Sequence, residues 1–152
     1  MAQRTDQRSP TKVDLLCYQK SVELTAHILS VCKPKDKNVN NKHIPKRNSG
    51  IGRQMMECAI DLGADILEAD NIYVGTNIPV EDRIENYKER IKLQNHARRM
   101  TMRIEHIFST LYYDKPFAES TTKYMMDLIE ETRELLVKWK QSDLNQLKHL
   151  LK

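Results

Sequence analysis

Four long stretches of this sequence place apolar or small residues at alternating intervals of three and four. That period lines one face of a helix, whereas a half-buried strand needs a period of two, so it points to an all-α chain. The first stretch carries Leu15, Tyr18, Val22, Thr25, Leu29 and Cys32. The second carries Ile51, Met55, Cys58/Ala59, Leu62, Ile66, Ala69 and Tyr73. In the third, Ile84, Tyr87, Ile91, Gln94, Arg98 or Ala97, Thr101, Ile104, Phe108 and Leu111 keep the spacing through a polar middle. The fourth is Thr121, Met125, Leu128, Thr132, Leu135 and Trp139. Composition agrees. Four glycines and 6% aromatics in 152 residues are too few for a sandwich or barrel, which draws on Gly/Pro turns and aromatic or β-branched strands.

Punctuation divides the chain. Helix 1 spans about Thr11 to Cys32 and stops before Pro34; residues 1–10 are polar and expected to be flexible. Residues 33–49 form a long polar loop, and Asn48 or Ser49 caps helix 2. Gly63 inside helix 2 costs about 1 kcal/mol relative to Ala, which suggests close helix packing. Pro79 suits a first helical turn and is followed by Glu81 and Asp82 at the positive end of the helix dipole, so helix 3 runs from there to Tyr113. Helix 4 covers Ala118 to Gln141. Ser142 or Asp143 then caps a short C-terminal extension, 142–152, with Leu144, Leu147 and Leu150/Leu151. The expected fold is one domain over 1–152, an antiparallel up-down-up-down four-helix bundle with a long polar loop between helices 1 and 2.

Charge is unevenly distributed. Residues 88–106 hold six Lys/Arg against two Glu, a formal +4 that equals the net charge of the whole chain. On helix 3, Lys88, Lys92, His96, Arg99, Arg103 and His106 fall within a narrow arc, with Arg98 alongside. Like charges one turn apart destabilise a helix, so an anion should offset them. Phosphates spaced along a nucleic acid meet that need. Lys46 and Arg47 in the loop and Arg53 on helix 2 extend the basic set. Helix 2 carries a matching acidic ridge, Glu57, Asp61, Asp65 and Glu68. Pairing of the two ridges, within a protomer or across a subunit interface, is the alternative to a ligand, and a solvated charged face needs neither. With no recognition helix or zinc module and no aromatic platform in the basic segments, backbone contact is the expected binding mode.

Other chemistry is thin. No Glu-x-x-His pair occurs, so a di-iron bundle is not expected, and phosphate-loop and dinucleotide glycine motifs are absent; no metal or other cofactor is expected. Arg90 to His96 and Arg99 to His106 fit the loose Arg-x(4–6)-His pattern of helical HEPN-type ribonucleases, but without the polar residue that usually follows the Arg. Cys17, Cys32 and Cys58 are isolated and odd in number, as expected of reduced thiols in the cytoplasm. The N-terminus lacks an apolar leader, and no apolar run reaches membrane-spanning length, so no membrane association is expected. Met55/Met56, Met100/Met102 and Met125/Met126 are read as core fillers, the outward member of each pair being available to a partner. Tyr112, Tyr113 and Phe117 are read as a plug at the helix 3–4 turn.

GIGRQMMECAIDLGADILEAD (50–70) and HARRMTMRIEHIFSTLYYDKPFA (96–118) resemble the four-helix-bundle family of accessory variability determinants. These accompany the reverse transcriptase of diversity-generating retroelements and are related to bundle proteins encoded in 23S ribosomal RNA intervening sequences. The likeness spans about residues 13–141. It implies a non-catalytic homopentamer whose basic surface binds template RNA and cDNA and which associates with the reverse transcriptase. Arg53, Arg98, Arg99 and Arg103 match the family's basic positions. The loop at 33–49 and the tail at 142–152 depart from it. The alternatives are a ribosome-associated or structural bundle without a retroelement role, and a ribonuclease using Arg90 and His96.

Overall fold

The computed structural model describes residues 12–32, 50–114 and 119–152. These form four helices and no strand: α1 (Lys12–Val31), α2 (Gly50–Asn71), α3 (Val80–Asp114) and α4 (Glu119–Leu150). Each helix packs on its two neighbours, α4 closing back on α1, while the backbones of the diagonal pairs stay further apart. A core therefore runs along the middle of four helices. Ile28 and Leu24 enter it from α1, Met55, Leu62 and Ile66 from α2, Ile104 and Phe108 from α3, and Met125, Ile129, Leu136 and Trp139 from α4.

Named contacts join neighbouring helices. Ser21 faces Gly63 and Thr25 faces Ala59 between α1 and α2. Asp65 meets His96 between α2 and α3. Arg90 meets Asp143, and Thr101 meets Arg133, between α3 and α4. Lys20 meets Glu131 and His27 meets Tyr124 between α1 and α4. In the α1–α2, α3–α4 and α1–α4 pairs the numbers rise on one helix as they fall on the other.

Local chemistry sets the ends. The Pro79 carbonyl accepts the Arg83 N–H at 3.0 Å, opening α3, and Glu81 and Asp82 occupy its first turn. Arg83 Nε donates to the Val74 carbonyl and Asn86 Nδ2 to that of Tyr73, at 3.2 and 2.7 Å. α3 thus holds the α2–α3 connection from its own first two turns.

Four expectations are corrected. On α1 the buried stripe is Cys17, Ser21, Leu24, Ile28 and Cys32, while Tyr18 and Val22 are 36% and 48% exposed. α1 has two adjacent apolar stripes, and spacing alone does not choose between them. Residues 142–150 are no appendage but the last turns of α4, and Asp143 is buried rather than a cap. Arg90 is buried at 2% exposure. Tyr113 is exposed and plugs nothing. Residues 1–10, the 33–49 loop and Phe117 lie outside the described residues, as does the Tyr112 side chain.

Candidate nucleic-acid interface

α3 is 35 residues long, about 50 Å at the helical rise. Its inner face, Ala97, Met100, Ile104 and Phe108, is buried. That forces the interleaved cations outward. Lys88, Lys92, His96, Arg98, Arg99, Arg103 and His106 are all exposed, as is Arg53 on α2. Lys46 and Arg47 lie outside the described residues.

The acidic ridge of α2 borders this face within one chain. His96 Nδ1 lies 2.5 Å from an Asp65 carboxylate oxygen. Two turns further along, the positive charge of Arg103 reaches the Cys58 thiol. Burial pushes that thiol up from its ordinary pKa, the carboxylates of Asp61 and Glu57 add to the rise, and Arg103 opposes it. Cys58 therefore stays a thiol at neutral pH and is a poor nucleophile. Asp65 is largely covered, whereas Glu57, Asp61 and Glu68 are exposed. Among the described residues no ion pair holds Arg53, Lys92, Arg98, Arg99 or Arg103, so their charge is available to an external anion.

The cations divide between two sides of α3. His96 leans toward α2. Arg98 borders a groove of about 340 Å³ between α3 and α4, with Met102, Glu105, His106, Ser109 and, from α4, Arg133. Arg133 forms an ion pair with Glu105 and donates from Nε to the Thr101 hydroxyl at 3.2 Å. Sequence reading missed Arg133, because nothing local to α4 shows that it stands opposite Arg98.

Arg90 and His96 do not converge. Arg90 donates from Nε and Nη2 to the two Asp143 carboxylate oxygens, each at 3.0 Å, and Gln94 Nε2 donates to the same carboxylate at 2.7 Å. Its guanidinium lies over the Trp139 ring at 5.4 Å. The arginine of that ribonuclease motif is part of the core. Arg99 and His106 share the exposed outer face, two turns apart.

Opposite the α3–α4 groove, α1 and α2 line an apolar one of about 350 Å³, with Tyr18, Val22, Leu29, Ile60, Gly63 and Leu67 among its walls. A Cβ built on Gly63 would meet only the Ser21 hydroxyl, at 3.8 Å. The close packing expected there is an ordinary contact, and the glycine opens the groove instead. No described group of three His, Cys, Asp or Glu side chains is arranged to hold a metal ion, and no described helix is long and apolar enough to cross a membrane. No family model, curated protein or solved structure matches the chain.

Proposed function

We propose that this chain is a non-catalytic accessory protein that binds nucleic acid through the outer face of α3. In this reading it associates with the reverse transcriptase of a diversity-generating retroelement during mutagenic cDNA synthesis from template RNA. The observation that carries the binding half is the row of exposed arginines, Arg98, Arg99 and Arg103, without ion-pair partners among the described residues. Unpaired cations of one sign on one face raise the local potential and draw phosphates. Arg53, Lys88, Lys92 and His96 extend the surface, as do Lys46 and Arg47 in the proposal. The retroelement half rests on the resemblance of residues 50–70 and 96–118.

The contact directions support an up-down-up-down bundle. Self-association, as a homopentamer in this reading, would cover the second apolar stripe of α1, since an apolar face of that extent favours burial. The α1–α2 side would then face a neighbour and the α3–α4 side would stay open to nucleic acid. Asp65 is engaged by His96 in its own chain, so an acidic subunit interface would rest on Glu57, Asp61 and Glu68. Cytoplasmic location follows from the same reading. A second reading, a structural bundle whose charged ridges only pair with each other, draws on the Asp65–His96 contact.

The test is cDNA synthesis by a diversity-generating retroelement reverse transcriptase on its template RNA, with and without this chain. Added protein should raise cDNA yield, and the Arg98/Arg99/Arg103→Ala triple variant should not. Unchanged yield from a protein that still binds the RNA would refute the accessory role.

A further inference from the structure

We infer that the α3–α4 groove receives one unstacked base of a single-stranded nucleic acid, so the basic face prefers single strands to duplexes. The inference rests on the nucleic-acid reading above and adds a substrate class to it. The groove is mixed in chemistry rather than uniformly basic. Met102 is half exposed beside it, an apolar thioether among cations. Arg133 is tied to Glu105 and Thr101, so the wall contributed with α4 is close to neutral and held in place. A phosphate pressed into the groove would gain little from Arg133, whose charge is already met by Glu105. A base is uncharged, and its flat face suits a polarizable sulfur. The Glu105 carboxylate and the Ser109 hydroxyl offer hydrogen bonds to its edge.

Arg98 and His106 complete the groove. Arg98 is placed to take the phosphate attached to that base, while Arg99 and Arg103, further round the helix, take neighbouring phosphates. Paired bases in a duplex are stacked and cannot enter such a groove without unpairing, whereas single strands splay their bases freely. Phosphate contacts alone would serve a duplex equally well.

The test compares a short mixed-sequence RNA strand with its own duplex by fluorescence anisotropy at one salt concentration. Wild type should bind the strand about fivefold or more tightly, the lower end of what one base contact supplies. Met102→Ala should bring the two affinities together, and Met102→Phe, which supplies a flat stacking surface in place of the thioether, should keep them apart. Both changes lie at a half-exposed position, and circular dichroism checks that the helices survive. Equal wild-type affinities, or a preference that survives Met102→Ala, would overturn the groove while leaving nucleic-acid binding in place. Failure to bind either probe would overturn both.

Discussion

Arg90 is a cation at 2% exposure, and such a charge persists only where partners replace its water. Asp143 supplies two of them and the Trp139 ring a third. The layer is not fully satisfied among the described residues: Arg90 Nη1, Gln94 Oε1 and Trp139 Nε1 have no hydrogen-bond partner. Removing one member leaves the other charge buried alone, which costs about 3–5 kcal/mol, whereas replacing both by apolar residues is far milder. Asp143→Ala should therefore lower unfolding free energy in urea by that amount, and Arg90→Met/Asp143→Leu should recover most of the loss. A small effect of Asp143→Ala would mean that the pair is not a structural element. None of this was legible in the sequence. Arg90 lies among other cations, and its partner is 53 positions away.

Among the elements, α2 and α4 were read with nearly the right inner faces because each has one dominant apolar stripe. α1 was read one stripe out of phase, since Tyr18, Val22 and Leu29 compete with Leu24 and Ile28 for the core. Only packing against α2 and α4 decides between them. α4 was cut short at Gln141 because Ser142 and Asp143 resemble a cap, and a local signal yields when the side chain finds a partner across the bundle. The α1–α4 contact carries a pH dependence. His27 packs edge-on against Tyr124, with ring centroids 4.7 Å apart, and burial holds its pKa below the ordinary 6.5, offset in part by a backbone hydrogen bond at Thr121. The unfolded chain then takes up this proton before the folded one, so the contribution of His27 is intact above pH 6.5 and is lost as the pH falls toward the lowered value. Thermal melts of wild type and His27→Phe should diverge below pH 6.5, the variant losing less. Parallel curves would show that His27 titrates as freely in the folded chain as in the unfolded one.

At the scale of the molecule, the closed ring of four helices puts an apolar groove on the α1–α2 side and a mixed polar one, bordered by the α3 arginines, on the α3–α4 side. The outward turn of the α3 cations other than Arg90 was legible, because their spacing places them away from the apolar inner face. The matched spacing of the two ridges was legible too, but not that Asp65 and His96 meet within one chain. Charge at the protein surface is the quantity that connects this architecture to a partner. Binding of a structured RNA and of a random duplex across a salt series, for wild type and Arg98/Arg99/Arg103→Ala, reads it directly. The account predicts affinity that falls steeply with salt, with a slope flattened by about one for each arginine removed. No binding at low salt, or a slope unchanged by the triple substitution, would contradict it and return the basic face of α3 to pairing with the acidic ridge of α2.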